Sequence, residues 1–426
     1  MPNPLQDNPF LQVTFIDRVI GDLVVTAGNY SIIDQYIPTI DQDPRLGTSY
    51  KWDIEIFDEG GMTALSGINS KSSLITGGGL RQKEYSPAHF REGVRLDGSD
   101  FLNIRMPGSQ TEQITMAQLV VKWVARLLRR IDNRKLWLKW QSVQSAAAFN
   151  LIGAGIIHQV DYSMYGFHPT YAPLWDAPGA TVLDDIIDTM ALFRTTGCKP
   201  VKAFFGTSVL QALLQDTTMR NIIQEQIFRK VNETNIFNPL PGAEGVTAFL
   251  KSMFAGMEFQ YYSDGPPVAL KVTKAATGTT LPVAGPTELF RVGETVDHVL
   301  PNGTRTSVVI TAVSSVLNTI TFAALAVASP RGTLIRKRLE FMNYDQFTVF
   351  TEMPMGQLGG QEQAKFITVA NIHAEGGLDN PKSGVASRVI RRLDDDPPYV
   401  KILASFTGGV VVLHEDGPWG SAKALT

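Results

Sequence analysis

The chain has 426 residues, 44% of them hydrophobic and 19% charged, with a formal net charge of −3 at pH 7. This composition provides for two or three globular cores, and the near-neutral charge argues against a chain that binds nucleic acid along its whole length. The single cysteine, Cys198, excludes an intramolecular disulfide, and no apolar run reaches the ~18 residues of a membrane-spanning helix. The N-terminus lacks a basic-then-apolar pattern, so no secretory signal is expected.

The N-terminal part of the chain predicts extended structure. Residues 1–56 are rich in Pro, Asn and Asp and predict an arm with short strands that buries little surface by itself. Residues 57–84 contain two glycine clusters among small polar residues, which is typical of either a projecting hairpin or a flexible surface loop. Residues 85–104 are extended and polar. We therefore expect these segments to obtain much of their burial from partner chains.

One long helix is predicted next, because residues 111–148 contain neither Gly nor Pro and are mostly good helix formers. An apolar stripe at three- and four-residue steps consists of Ile114, Val120, Val124, Leu127, Leu128, Ile131 and Leu138. A basic face consists of Lys122, Arg126, Arg129, Arg130, Arg134, Lys135 and Lys139. That face is interpreted either as a surface for DNA phosphates, without base recognition, or as a face that is solvated or paired with acids of adjacent chains.

Strands and helices alternate between residues 149 and 265, which predicts an α+β or α/β domain. The expected strands are 156–162, 200–206 and 257–261. The expected helices are 183–195, 208–215, 221–231 and 246–254.

The composition changes at Gly265–Pro267, where helix-forming patterns stop. Short β-like runs then alternate with Gly, Asn and Pro at intervals of ~10–12 residues, the pattern of a small all-β module. The pair Asn302–Gly303 predicts a tight hairpin turn. Because α+β segments flank this module, it is predicted to be an insertion. Strands follow to the C-terminus, with Gly408–Gly409 expected as the turn between the last two.

No residue pattern indicates catalysis or a resident cofactor. The six histidines have no ligand spacing, and the sequence has neither a nucleophile elbow nor a phosphate-binding loop. The acidic triplet 394–396 is interpreted as a solvent-facing strand end in preference to a cation site. Cys198 is interpreted as a small hydrophobe in preference to a nucleophile. We therefore predict a protein that is not an enzyme and uses no metal or cofactor.

Several short segments, taken in order, resemble one known family. SPAHFREG (86–93) precedes the long helix, NRKLWLKWQ (133–141) lies in it, VDY (160–162) and TGCKPVKAFFG (196–206) follow, and DDPPY (395–399) stands near the C-terminus. This order resembles the major capsid proteins of tailed bacteriophages, in the lambda-like family E branch of the Hong Kong 97 fold, and is especially similar to Thermus siphophage capsid proteins. The resemblance covers 50–265 and 337–415, and the simplest members of the family lack the β module.

The resemblance implies an α+β fold of the Hong Kong 97 type, with an N-terminal arm, an E-loop, a P-domain containing the long spine helix, an A-domain and the small all-β insertion. The implied divisions are the arm at 1–56, the E-loop at 57–107, the P-domain at 108–182, the A-domain at 183–265 and 337–386, the inserted module at 266–336, and P-domain return strands with a tail at 387–426. The implied E-loop lies over a neighbouring subunit, with expected contacts from Arg81, Lys83, Glu84, Phe90 and Arg91.

The implied function is structural. Hexamers and pentamers of the chain would form the icosahedral head of a siphovirus particle, assembled in the host cytoplasm and enclosing double-stranded DNA. Expected partners are the chain itself, portal and scaffolding proteins and a decoration protein, which the β module could instead replace by stabilising capsomer contacts. The alternative is an encapsulin-like compartment of the same fold that holds an enzyme cargo.

Overall fold

The computed structural model describes residues 32–43, 46–55, 80–97, 116–153, 156–163, 166–177, 179–195, 198–216, 221, 243–254, 256–285, 287–314, 317–325, 328–352, 364–371, 383–392, 399–412 and 419–425. The chain divides into two compact units, residues 1–135 with 362–414 and residues 136–361 with 415–426. The division falls inside the long helix, α1, which runs over Met116–Gln144.

The first unit contains a sheet organised around its longest strand, β18. This strand pairs antiparallel with β4, β16 and β17, and β1 adds to β16 in parallel. The strand bounds are β1 Thr39–Asp41, β4 Ala88–Asp97, β16 Ala364–Thr368, β17 Ala386–Arg392 and β18 Tyr399–Val412. Nearly every residue of β18 from Val400 onward is buried, as expected for a strand flanked on both edges.

The pair Gly408–Gly409 lies inside β18, so the expected turn at this position is wrong. The two glycines pair with Thr368 and Ile367 of β16 and continue the ladder. A Cβ atom at Gly409 would lie 2.3 Å from the Tyr85 hydroxyl, and one at Gly408 would lie 3.0 Å from the Phe366 ring. Glycine is therefore needed here for close packing of aromatic rings on the strand, and not for chain reversal.

A two-stranded sheet of β2 (Tyr50–Glu55) and β3 (Leu80–Tyr85) also belongs to the first unit. Its aromatic residues Tyr50, Trp52 and Tyr85 pack against a small cluster that contains Ile367, Val369 and Val411. The segment between the two strands, which includes both glycine clusters, lies outside the described residues.

The burial of α1 changes along its length. Up to Lys135, buried and exposed positions alternate with helical periodicity, and Val120, Val124, Leu127 and Ile131 of the predicted stripe are at most 5% exposed. From Trp137 to Gln144 every residue is buried. The helix ends at Gln144, four residues before the predicted end, and β5 begins at Phe149.

The second unit has a four-stranded sheet in the order β19-β15-β7-β8. The bounds of these strands are β7 Lys199–Phe205, β8 Glu258–Tyr261, β15 Gln346–Glu352 and β19 Trp419–Lys423. One face packs on three helices, α2 Val182–Thr195, α3 Thr207–Gln215 and α4 Ala243–Met253. These helices confirm three of the four expected helical segments, and the fourth, 221–231, lies almost wholly outside the described residues. A separate hairpin consists of β5 Phe149–Gly153 and β6 Ile156–Val160.

The other face of the four-stranded sheet packs on the C-terminal part of α1. Trp140 is 0% exposed, and its ring centroid lies 5.0 Å from Tyr262, 5.5 Å from Phe204 and 6.2 Å from Phe350. Successive side chains of a strand point to opposite faces, so Phe204 and Phe350 contact Trp140 while their neighbours contact the helices. Tryptophan here is a core residue, which accounts for the aromatic enrichment at this end of the helix.

The predicted all-β module is a closed barrel in the order β10-β13-β12-β11-β14-β9. Its strands are β9 Pro267–Val272, β10 Thr280–Ala284, β11 Thr295–Val299, β12 Arg305–Ser314, β13 Thr319–Phe322 and β14 Leu334–Arg338. Alternate residues fill its interior, including Leu270, Leu281, Ile310 and Ile335, each 0% exposed. The first and last strands pair, with Pro267 opposite Arg338, so the module leaves and rejoins the chain at one point.

These elements confirm the expected fold class, α+β with a small all-β insertion. Their order along the chain, an extended strand pair, a long helix, an α+β region interrupted by a barrel, and return strands, is the order expected for a Hong Kong 97-type chain. The residues assigned to the arm are described only from Ile32 onward, and those assigned to the E-loop only over 80–97.

Candidate assembly surfaces

The predicted basic face of α1 divides into residues with different surroundings. Lys122, Arg126 and Arg129 are exposed and follow one another at helical spacing, and none of them has an ion pair within the part of the chain that the structure describes. Arg126 also lies over the ring of Trp123, 5.2 Å from its centroid. We call these three residues the cationic stripe. It is the part of the predicted face that is open to a phosphate or to an acid of another chain.

Arg130 instead binds an acid of its own chain. Its Nε and Nη2 atoms donate to the two carboxylate oxygens of Glu92 at 2.5 and 2.7 Å, a bidentate pair between α1 and β4. Glu92 raises the pKa of the guanidinium through this hydrogen bond. Because the two side chains remain 56% and 45% exposed, the pair positions the helix more than it stabilises the unit.

The remaining three cations pack against the protein itself. Arg134 lies over the ring of Phe90 at 5.0 Å, and Lys135 lies over the ring of Phe406 at 5.6 Å. Burial lowers the pKa of Lys135, while Asp132 opposes that shift. Lys139 is only 1% exposed, so the structure removes it from any open basic face. Helical periodicity placed these cations on one side of the helix but could not show which stretch of that side is covered.

The expected E-loop contact residues lie partly on strands of the first unit. Glu84 is exposed on β3 and faces Lys51 of β2, with 3.5 Å between Nζ and Oε2, and Lys83 is half-buried opposite Trp52. Phe90 stacks on Phe406 within the sheet, with ring centroids 4.9 Å apart.

Arg91 is exposed on β4, opposite Ser405. Arg81 lies in β3, where only its backbone is described. Within the expected E-loop, 88–97 therefore forms a strand of the β18 sheet. Contacts of these five residues with another subunit stay a prediction.

The structure places the other residues considered for chemistry in ordinary surroundings. Cys198 is buried, and the Nδ1 atom of His89 lies 2.8 Å from the Thr407 hydroxyl. Among the described residues, no group of three His, Cys, Asp or Glu side chains is placed to hold a metal ion. The acidic triplet 394–396 lies outside the described residues. None of the described helices is long and apolar enough to cross a membrane.

The sequence reasoning missed a charged cleft beside the barrel. Its volume is about 600 Å³, and the residues that line it include Trp137 and Gln141 of α1, Asp297 of β11, Arg336 of β14 and Tyr344. The Nη2 atom of Arg291 donates to the Asn343 side-chain oxygen at 2.6 Å, which ties the barrel to the loop after β14. The charge-rich run at 336–338, RKR in the sequence, was the only signal for this cleft.

A buried ion pair lies at the edge of this cleft. The Nζ atom of Lys337 donates to Glu294 at 2.5 Å, and the two side chains are only 9% and 12% exposed. Burial lowers the pKa of Lys337, and the Glu294 carboxylate opposes that shift. The same carboxylate oxygen accepts the backbone N–H of Arg291, and the ammonium lies 4.9 Å from the centroid of the Phe290 ring. Three separate contacts therefore compensate for the desolvation of this pair.

Comparison with known proteins identifies the family. The model of the family described as phage major capsid protein E matches residues 58–279, more than half of the chain. The chain therefore belongs to the phage major capsid protein E family, a family of shell proteins, and its function is structural. No curated protein matches the sequence significantly.

Three solved structures illustrate the likeness in fold. A prophage protein of E. coli CFT073 is 11% identical with a TM-score of 0.46, covering 96% of this chain and 98% of that one. A phage-related protein from Bordetella bronchiseptica RB50 is 9% identical with a TM-score of 0.44, covering 95% and 96%. The mature capsid protein of bacteriophage PhiM1 is 9% identical with a TM-score of 0.42, covering 92% of this chain and 86% of that one. Because these TM-scores are below 0.5, the assignment rests on the family model. The specific likeness to Thermus siphophages stays a prediction.

Proposed function

We propose that this chain is the repeating subunit of a phage head, assembling as hexamers and pentamers into an icosahedral shell around double-stranded DNA. The observation that carries the proposal is the family match over 58–279, which includes α1 and the first part of the four-stranded sheet. Many weak contacts repeated between copies make such a container strong through multivalency. The family match favours this function over an encapsulin-like compartment.

The parts of the chain have distinct roles in this proposal. Residues 1–56 and 57–107 form the arm and the E-loop that reach neighbouring subunits. Residues 108–182 and 387–426 form the P-domain, and residues 183–265 and 337–386 form the A-domain around the capsomer centre. Portal and scaffolding proteins complete the head, which forms in the host cytoplasm and becomes part of the virion.

The purified protein tests this proposal directly. It should form closed shells of uniform diameter, or five- and six-membered rings, when it is concentrated alone or with the scaffolding protein of the same phage. Negative-stain electron microscopy and analytical ultracentrifugation would detect both products. A folded chain that stays monomeric under both conditions would overturn the proposal.

The cationic stripe offers a test for the packaged DNA. We propose that Lys122, Arg126 and Arg129 face the DNA and neutralise phosphates without reading sequence, since they are exposed and have no acid partner among the described residues. In this case Arg126→Glu/Arg129→Glu should leave shell assembly intact and lower the ratio of full to empty particles. A matched control, Lys251→Glu/Lys401→Glu, reverses two exposed cations elsewhere.

The two alternatives give different results in the same experiment. If the stripe pairs with acids of a neighbouring subunit, the double reversal blocks assembly itself. If both the particle yield and the DNA content equal those of the control, the stripe is a solvated face and the DNA proposal is wrong.

We also propose that the barrel stabilises capsomer contacts and takes the place of a decoration protein. Its two ends meet, because Leu339 donates its N–H to the Pro266 carbonyl at 2.9 Å, so residues 267–338 can be replaced by a short glycine linker. Shells of the shortened chain should assemble but open at a lower temperature than those of the parent. An unfolded product, or shells as heat-resistant as the parent, would refute this role.

A further inference from the structure

The barrel differs in charge from the rest of the chain. Residues 267–338 contain eight Lys and Arg against three Asp and Glu, a net charge of +5. The whole chain carries −3, so the residues outside this range carry −8. Such a separation of charge between two parts of one chain favours contact between the barrel of one copy and an acidic surface of another.

Three barrel cations lie on the outer surface of one side of the barrel, which consists of β9, β14, β11 and β12 in this order. Lys271 of β9 and Arg305 of β12 are in one cross-strand row, because Lys271 pairs with Leu334, Leu334 with Val299 and Val299 with Arg305. Strands are ~4.8 Å apart, so the two cations are separated by roughly 14 Å. The side chains of Lys271 and Arg305 are exposed and take no part in the core of the barrel.

Arg336 lies on β14 between these two strands, two residues along from Leu334. Arg336, Lys271 and Arg305 are all exposed. Among the described residues that point outward from β9, β11, β12 and β14, the one acid is Asp297, which is the register partner of Arg336. The apolar residue Val309, 42% exposed, follows Arg305 on the same side of β12. We call Lys271, Arg305, Arg336 and Val309 the barrel face.

Helix α2 presents the complementary surface. Its buried side consists of Val182, Ile186, Met190 and Phe193, and its opposite side bears Asp184, Ile187, Asp188 and Leu192 at helical spacing. Ile187 is 46% exposed and lies between the two exposed acids, and Leu192 is 36% exposed one turn beyond Asp188. We call these four outward residues the α2 stripe.

No cation of the surrounding sequence neutralises the α2 stripe. Residues 140–193 contain five acids and neither Lys nor Arg. Asp185, the residue after Asp184, does not belong to the stripe, because its Oδ2 atom accepts the Trp175 indole N–H at 2.8 Å. Within the described residues, neither exposed acid of the stripe has an ion pair, and neither do the three cations of the barrel face. Both surfaces therefore combine unpaired charge of opposite sign with exposed apolar side chains, so the two surfaces are electrostatically complementary.

We propose that the barrel face of one subunit docks on the α2 stripe of a neighbouring copy of this chain. The inference rests on the proposed shell function and names the contact through which the barrel strengthens the shell. The carboxylates of Asp184 and Asp188 approach the barrel cations, while Ile187 and Leu192 cover Val309. A contact of this kind weakens with salt, because its charges lie at a surface.

Charge reversal with rescue tests the contact. Lys271→Glu/Arg305→Glu and Asp184→Lys/Asp188→Lys should each raise the protein concentration needed for half-maximal assembly by about tenfold, since the effect multiplies over every copy of the contact. A chain that carries all four substitutions should return to within about threefold of the parent. The control Lys251→Glu/Lys401→Glu should assemble like the parent. Light scattering gives the concentration, and circular dichroism shows that each variant is folded.

The outcomes separate this proposal from the one on which it rests. If the parent itself forms no particles, the shell function fails. If the parent assembles and both reversed variants assemble equally well, or if the fourfold variant is folded and stays impaired, the contact proposal is wrong. If reversal on the barrel lowers only the DNA content of particles and reversal on α2 changes nothing, the barrel face binds nucleic acid and the proposal is equally wrong.

A cross-linking experiment covers the case in which a reversed variant does not fold. The only native cysteine is buried, so new cysteines can be placed without interference. A chain with Arg305→Cys mixed with a chain with Asp188→Cys should form a disulfide-linked pair when particles are treated with copper phenanthroline as oxidant. The pair Lys251→Cys with Asp188→Cys should not. Equal cross-linking of both mixtures, or of neither, would overturn the proposal.

Discussion

Two ion pairs of this chain have the same length and opposite surroundings, so they separate the effect of burial from that of geometry. Lys337–Glu294 and Arg130–Glu92 both place nitrogen 2.5 Å from oxygen, but the first pair is 9% and 12% exposed and the second 56% and 45%. Glu294→Gln leaves a buried ammonium without its counter-charge, which should lower barrel stability by ~3–5 kcal/mol. Glu92→Gln should cost about 0.2–1 kcal/mol, because water screens that pair.

Hydrogen exchange measured by mass spectrometry reports both losses locally, in peptides of β11 and β14 for the first variant and of β4 for the second. A loss of ~3 kcal/mol accelerates exchange from the global opening of the barrel more than a hundredfold. The double variant Glu294→Gln/Lys337→Met retains an acceptor for the Arg291 N–H and removes the isolated charge, so it should recover most of the loss. Equal effects of Glu294→Gln and Glu92→Gln would refute the argument from burial.

Three further outcomes are expected. Burial lowers the pKa of His298 below 6.5, so the unfolded chain binds a proton more readily than the folded barrel does. The stability of the barrel should therefore fall as the pH drops from 6.5 through the folded pKa. In thermal melts, His298→Asn should flatten this pH dependence. Trp140→Ala should cost ~3–5 kcal/mol in urea unfolding, against less than about 1.5 kcal/mol for the half-buried control Trp123→Ala. Gly265→Ala would place a Cβ atom 1.4 Å from the Leu339 carbonyl oxygen and should speed proteolysis at the base of the barrel; an unchanged cleavage rate would contradict this clash.

Periodicity and composition predicted much of the fold because both reflect local rules. The apolar spacing of α1, the strand and helix at 199–215 and the turn-rich β module were all visible in the sequence. The same rules failed at Gly408–Gly409, where glycine normally indicates a turn. There the deciding contacts come from Tyr85 and Phe366, which are distant in sequence, and a local pattern carries no information on them.

The candidate surfaces were less predictable, since exposure depends on what packs over each residue. Arg130 looked like part of a DNA-binding face, yet its partner Glu92 lies on a strand that the sequence indicated only as extended chain. The barrel face, in contrast, could have been predicted from the spacing of its cations along the strands. Its cations follow the period-two pattern of exposed strand positions, so Lys271 and Arg336 could have been placed on the outside of the barrel before the structure was known.

The long helix shows why a pattern of one period cannot describe an element that crosses two environments. Up to Lys135 the helix has one buried side, and charge on the other side is compatible with solvent. Beyond Trp137 it is covered all round, and its polar residues must find partners inside the protein. Gln144 does so through both ends of its amide, donating to the Thr348 hydroxyl at 3.1 Å and accepting the Asn343 N–H at 2.8 Å. A polar residue in this stretch therefore indicates a buried hydrogen bond, and only the cationic stripe before it remains open to DNA or to another chain.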